Sequence, residues 1–289
     1  MFFQPPHCPN PQCAQHENPD AGFFINRGSY VTKHDRQKVP RYQCKTCKKT
    51  FGSRRFSTTA RQHKPAINDP LAKLLSSGVT FRRCAILLKI ARLTVSRKFT
   101  FMARAARRAH LRFLADGKIK SSYVQFDEME TFERTRLKPV SIALAVRART
   151  GQIICARVAA MNCHGHMAGV SQKLYGPRVD TRGRACDNVL KTVSSVAKKL
   201  ITVATDGKAA YGPLIKKAMP HARHKVVVGG RKRVRGAPDP LFRLNHTCAK
   251  IRADLSRMAR KTWSTTKRMW ALQYHLDLYI AFNNGYEFG

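Results

Sequence analysis

Tyr123-Val124-Gln125-Phe126-Asp127 and Ile201-Thr202-Val203-Ala204-Thr205-Asp206-Gly207 are the two stretches on which the fold turns. Both are short runs of aromatic, β-branched and aliphatic residues, the composition of strands packed on a core. Each run ends on an aspartate. Asp127 interrupts the first, and Asp206 closes the second with Gly207 behind it to turn the chain. Between them, residues 140–146 and 152–158 read as a hairpin around Arg149-Thr150-Gly151, and residues 187–200 as an amphipathic helix leading into the second run.

This order (strand with Asp, two antiparallel strands, helix, parallel strand with Asp) is the plan of an RNase H-like α/β fold with a mixed sheet. Neighbouring central strands then bring the two carboxylates together. Paired oxygen donors in a phosphate-binding cleft suit Mg²⁺ or Mn²⁺. A metal pair there can activate water or a 3′-hydroxyl for in-line displacement at a phosphodiester. The plainer reading is that both aspartates begin turns, Asp-Gly at 206–207 being a common turn pair.

Composition limits the partner. The chain of 289 residues carries 55 Lys+Arg against 16 Asp+Glu, a formal net charge of +39. A charge of that size attracts and neutralises phosphates, so nucleic acid is the expected partner. An anionic membrane surface would be met by one dominant basic amphipathic helix, and none stands out. Lys or Arg breaks every apolar run before it could span a bilayer, and Met1-Phe2-Phe3-Gln4 lacks the pattern of a secretory signal. The nine cysteines include two close pairs near the N-terminus with the rest scattered singly. That usage suits reduced thiols and a metal in a cytoplasmic, nucleoid-associated protein.

Outward from the aspartate strands, composition separates three regions: 1–62, 64–118 and 120–289. In the first, Cys8-x4-Cys13 and Cys44-x2-Cys47 frame β-prone residues. Two tight knuckles of this kind supply the four thiolates of a tetrahedral structural Zn²⁺ in a zinc ribbon, and so small a region needs that metal to fold. A redox dithiol is the alternative, and His7 and His16 read as solvated. In the second region, Asn68 or Asp69 with Pro70 begins a helix that Gly78 stops; Thr80 caps a second helix over 81–90, and Thr94 caps a third. Helix, short turn, then a helix opening with Ser and Arg/Lys is a helix-turn-helix pattern, against an ordinary small bundle with a basic face. Thr94, Ser96, Arg97 and Lys98 are its expected contacts with phosphates or base edges. In the third region, Arg231, Lys232 and Arg233 lie in a glycine-flanked basic turn suited to clamping phosphates.

Together, the cysteine ribbon, the helix-turn-helix, Phe126-Asp127-Glu128-Met129-Glu130-Thr131-Phe132 and Ala204-Thr205-Asp206-Gly207-Lys208-Ala209-Ala210-Tyr211 resemble the DDE transposases of small insertion sequences that carry an N-terminal zinc ribbon. Asn245, Arg252, Leu255, Arg257, Arg260-Lys261-Thr262, Ser264 and Lys267 resemble their C-terminal helix. The resemblance implies binding of an element's terminal repeats and metal-dependent DNA cleavage and strand transfer, with a homo-oligomer on the DNA. It also implies a third carboxylate three residues before Asn245, where this chain has Phe242. Asp239 lies one turn earlier and serves either as that third catalytic acid or as a helix N-cap before Pro240. His246 and Asp254 are weaker substitutes, Asp254 being better placed for ion pairs with Arg252 or Arg257. Cys163-His164-Gly165-His166 reads as loop, and Trp263 and Trp270 as core beneath the last helix or as stacking platforms. The competing functions are a catalytically decayed or recruited DNA-binding protein and a structure-specific nuclease on the same fold.

Overall fold

The computed structural model describes residues 3–33, 35–60, 62–117, 120–228, 239–259 and 264–286. The chain divides into two compact units, residues 1–69 and 70–288.

The first unit holds a three-stranded antiparallel sheet of β1 (Phe24–Val31), β2 (Lys38–Cys44) and β3 (Thr50–Gly52). Its core is Cys8, Cys13, Phe23, Tyr42, Cys44 and Phe51, and β1 is exposed along nearly its whole length. Val39 of β2 is buried too, the one Val, Leu, Ile or Met so placed among the described residues of this unit.

Helix α1 (Asn68–Leu75) begins two residues before the second unit, which continues with α2 (Phe81–Leu87) and α3 (Arg92–Ala115). Thr80 caps α2, its side chain accepting from the Arg83 amide at 3.3 Å. Thr94 is no cap. The helix starts at Arg92 behind an extended Ala91, which places Thr94 inside the first turn.

A five-stranded mixed sheet follows, built from β4 (Ser121–Phe132), β5 (Pro139–Arg147), β6 (Ile153–Ala160), β7 (Ala197–Thr205) and β8 (Arg223–Val226). The spatial order is β6-β5-β4-β7-β8, with the first three antiparallel and β4, β7 and β8 parallel. The remaining helices are α4 (Ala168–Tyr175), α5 (Arg182–Val196), α6 (Tyr211–Ala218), α7 (Phe242–Asp254) and α8 (Met269–Asn283). This order is compatible with the RNase H-like plan.

Every residue from Val140 to Val146 is at most 1 % exposed, which requires cover on both sheet faces. On one face Val124, Phe126, Ala143 and Ala145 pack with Val189, Leu190 and Val193 of α5 and Tyr211 and Ile215 of α6. On the other, Met129, Ile142, Leu144 and Val146 pack with Leu244 and Ile251 of α7 and Leu272, Leu276 and Tyr279 of α8. Each fully buried aliphatic contributes about 1.5–3 kcal/mol of transfer free energy.

Three expectations change. The first aspartate strand does not stop at Asp127 but runs to Phe132, because Asp127 to Phe132 continue the antiparallel ladder with β5. The helix expected over 187–200 covers Arg182–Val196, with Leu200 in β7. Trp270 is 54 % exposed in the first turn of α8 and closes no core, while Trp263 lies outside the described residues.

Candidate functional site

The alternation of β4 puts Gln125, Asp127 and Met129 on the α7 face and Phe126 and Glu128 on the α5–α6 face. The parallel ladder of β4 and β7 pairs Val124 with Val203 and Gln125 with Ala204. Continued two residues further, the same register sets Asp127 level with Asp206, just past the end of β7. Asp206 Oδ1 accepts from the Lys208 amide at 3.1 Å, the bond that closes the Asp-Gly turn.

Asp127 is held by one oxygen. Its Oδ1 accepts from the Glu128 amide at 2.7 Å and from the Tyr211 hydroxyl at 3.0 Å. Burial pushes this carboxyl up to about 6, the charges of Asp206 and Glu128 act in the same sense, and the two hydrogen bonds oppose them. Tyr211, 1 % exposed, begins α6 and sets its ring edge-on to Phe126 at 5.0 Å. Its hydroxyl also reaches Glu128 Oε2 at 3.2 Å. Burial, then the charges of Asp127 and Glu128, raise the phenol far above its ordinary value, so it remains a donor.

Glu128 is fully engaged. Ser141 donates to Oε1 at 2.7 Å, and the Lys208 ammonium pairs with Oε2 while lying 5.1 Å from the Tyr211 ring centroid. Burial works to raise Glu128, but the bond and charge of Lys208, with Ser141, bring it below the usual carboxylate range. Lys208, Tyr211 and Ser141 were not singled out as site residues in the sequence. Lys208 and Tyr211 follow Asp206 by two and five residues, and a strand-turn-helix segment placing both over a second carboxylate was the available signal.

The N-terminal end of α7 is tied to the same strand. Gln125 donates to the Pro240 carbonyl at 2.5 Å and accepts from the Leu244 amide at 2.8 Å. Asp239, 8 % exposed, accepts from the Leu241 amide on Oδ1 at 2.9 Å and from the Asn245 side chain on Oδ2 at 3.0 Å. The first bond is an Asx turn that leads the chain into α7, whose N-cap position is Leu241, and the second ties Asp239 to the first turn of that helix. Phe242 stacks on His246 at 5.7 Å, and Asp254 accepts from the Tyr279 hydroxyl at 2.7 Å rather than pairing with an arginine. One turn past Leu244, Cys248 feels the charge of Asp127; burial first, then Asp127, push its thiol up to about 12. The side chain that α7 brings within range of Asp127's charge is thus a thiol.

Asp127 and Asp206 fit a hard divalent cation by donor chemistry. Each has one oxygen committed, that of Asp127 to the Glu128 amide and Tyr211 and that of Asp206 to the Lys208 amide, and the other, among the described residues, accepting no hydrogen bond. No third acid, cysteine or histidine among the described residues completes a cluster of ligand atoms within 4.8 Å at this place.

Such a cluster does exist in the first unit. The ligand atoms of Cys8, Cys13, Cys44 and Cys47 all lie within 4.8 Å of one another, with Cys8–Cys47 at 3.6 Å and Cys13–Cys44 at 3.8 Å between sulfurs. Sulfurs about 2.3 Å from a common zinc stand about 3.8 Å apart in a tetrahedron. The cluster can therefore bind a metal such as zinc. Left-handed Lys48 (φ 58°) closes the second knuckle, and half-buried His16 bonds the Cys8 carbonyl through Nδ1 at 2.6 Å.

The expected nucleic-acid contacts divide. Arg97 is exposed, and Thr94 and Ser96 are half-buried on α3. Lys98 is 5 % exposed and falls in the inward stripe with Val95 and Met102; burial pulls its pKa down, and it offers nothing to an outside phosphate. Arg231, Lys232 and Arg233 lie outside the described residues. Cys163, His164 and His166 form no metal cluster. Among the described residues no helix is long and apolar enough to cross a membrane.

No protein-family model and no curated protein matches the sequence. Among solved structures, the crystal structure of the Mos1 strand transfer complex is similar at 11 % identity over 77 % of this chain and 79 % of that one, with a TM-score of 0.28. A likeness that slight carries no weight for fold or function.

Proposed function

We propose that the protein is a DNA transposase of the DDE type, cutting and joining DNA with Mg²⁺ or Mn²⁺ held on Asp127 and Asp206. The observation that supports this reading is the parallel register of β4 and β7, which carried two residues on brings Asp206, just past β7, level with Asp127, in a chain of net charge +39. A divalent cation bound there supplies a more acidic water and charge neutralisation at the phosphodiester. The protein's own groups set the stage. Tyr211 and the Glu128 amide fix Asp127 through Oδ1, leaving Oδ2 for the cation, and Lys208 keeps Glu128 matched and out of competition. Hydrolysis frees a 3′-hydroxyl, which then displaces a 3′-oxygen of target DNA.

The finer assignments belong to this reading. The four cysteines hold structural Zn²⁺ in a ribbon; α2 and α3 act as a helix-turn-helix through Thr94, Ser96 and Arg97; the sheet is RNase H-like; and Asp239 orders the start of α7. Nicking of supercoiled plasmid with Mn²⁺, and joining of a 3′-end to a second duplex, test it. Asp127→Asn is expected to abolish both while DNA binding persists. Equal nicking by that variant sinks the assignment.

A second reading, a DNA-binding protein without catalysis, is favoured by one feature: Phe242 stands where the third acid is expected, and both oxygens of Asp239 are engaged at the start of its helix. Absence of metal-dependent nicking in the native protein selects it.

A further inference from the structure

The sheet face that carries the two aspartates continues onto an edge strand with its own cargo of charge. On β4, Tyr123, Gln125 and Asp127 share this face. Thr202 and Ala204 of β7 stand beside Tyr123 and Gln125, and Arg223 and Lys225 of β8 stand beside Thr202 and Ala204. The face therefore reads in three levels: Tyr123–Thr202–Arg223, then Gln125–Ala204–Lys225, then Asp127–Asp206–Val227. Leu241 at the start of α7 covers Ala204 and Val227, so the open margin of this face is the β8 edge, where Arg223 and Lys225 are exposed. His224, between the two cations, turns to the opposite face, where Nε2 meets Thr205 Oγ1 at 2.8 Å. Arg223 and Lys225 are both exposed, and with Tyr123, Thr202 and His224 they line a groove of about 530 Å³. β8 is the edge strand, so among the described residues no further strand pairs outside them.

Successive levels are two residues, about 6.6 Å, apart, which puts Arg223 about 13 Å before the carboxylates. At about 3.4 Å of rise per nucleotide that distance is about four nucleotides, with Lys225 about two nucleotides away.

We propose that the β8 edge is a phosphate track that feeds a nucleic-acid strand to Asp127 and Asp206, with Arg223 and Lys225 holding two backbone phosphates ahead of the reacting one. The inference rests on the metal-dependent reading of the aspartate pair. The Arg223 guanidinium matches a phosphate bidentately, and Lys225 supplies a point charge nearer the site. The half-buried Tyr123 ring lines the groove and offers a face for a base.

The test uses the full chain and a mixed-sequence DNA duplex, with affinity followed over a NaCl series. Loss of two phosphate contacts in R223A/K225A is expected to reduce the slope of log K against log[salt] by about 2. The charge-matched K216A/K217A variant, altered on exposed positions of α6 across the sheet, is expected to keep the native slope. An unaltered slope in R223A/K225A, or an equal fall in both variants, overturns the track. Mn²⁺-dependent nicking separates the underlying reading: D127N that still nicks refutes the aspartate site whatever the slopes show. Nicking by R223A/K225A at saturating DNA close to the native rate, with a raised KM, agrees with a track and not with a reacting group.

Discussion

The N-terminal unit buries Cys8, Cys13, Phe23, Tyr42, Cys44 and Phe51 around four sulfurs, whereas β5 alone buries seven consecutive residues between two layers of helices. One region gathers a handful of sulfurs that can bind a metal, and the other spreads apolar area over many side chains. The difference decides what each can tolerate. A region with so small a core has little reserve, so a metal held on those sulfurs would supply much of its folding energy. The sheet has reserve enough to hold Asp127 half-buried, beside Asp206 and Glu128, with its carboxyl raised to about 6. A buried carboxylate stands where packing can carry its cost.

The largest effect should come from breaking the sulfur cluster. Zinc chelation, or Cys44→Ser, is expected to unfold the N-terminal unit outright while amides of β4, β5 and β7 keep their protection in hydrogen exchange. Retained protection across β2 in the substituted protein would contradict a structural metal.

Next in size, Phe126→Ala removes a fully buried ring from the α5–α6 face and should cost about 3–5 kcal/mol in urea unfolding. Exchange in the N-terminal unit should not change, since its order has a different source.

A smaller effect of opposite sign is expected at Asp127. Its folded pKa, about 6, lies above the ordinary carboxylate value, so the folded state binds the proton more tightly and stability declines as pH rises from about 4 to 6. In buffer free of added divalent ions, Asp127→Asn should therefore be more stable than the native protein at pH 7, by about 1–2 kcal/mol after discounting for partial solvation. The gap should close below about pH 4. Metal-dependent nicking should show the matching acid limb, rising through pH 6 as Asp127 ionises. An Asn variant that is less stable at pH 7 than at pH 4, relative to native, breaks the claim that packing supports a destabilising charge.

Tyr211→Phe keeps the ring on Phe126 and loses only the hydroxyl. Mn²⁺ affinity measured by electron paramagnetic resonance should weaken about tenfold, the usual effect of deleting a bond that orients a metal ligand. The melting temperature should move little. At the small end, Thr80→Ala removes the α2 cap and should cost about 1 kcal/mol in urea unfolding.

Much of this was legible along the chain. The hairpin about Arg149-Thr150-Gly151, the strand ending at Asp206, the paired cysteines and the Thr80 cap all depend on neighbours a few residues away, and such signals survive in one dimension. Other features did not. The length of β4 was hidden because Glu128 and Glu130 look like the end of a strand, and only Ser141, Lys208 and Tyr211 make Glu128 acceptable within it. Charge alone points Lys98 outward, although a helical period of 3.6 places it in line with Val95 and Met102. Helix α3 packs on α8 from the far end of the chain, a contact no local pattern announces.

Read alone, the residue order settled where strands and knuckles begin and that two aspartates follow apolar runs, because alternation and turn chemistry act over short spans. Tertiary structure decided which carboxylates remain available. Asp127 keeps one oxygen open, while Glu128 beside it is neutralised by Lys208 and Asp239 is engaged at the start of α7. Those partners are distant in sequence for Glu128 and meet only when parallel strands align. A carboxylate's role is set by the donors that desolvation forces upon it, and folding chooses them.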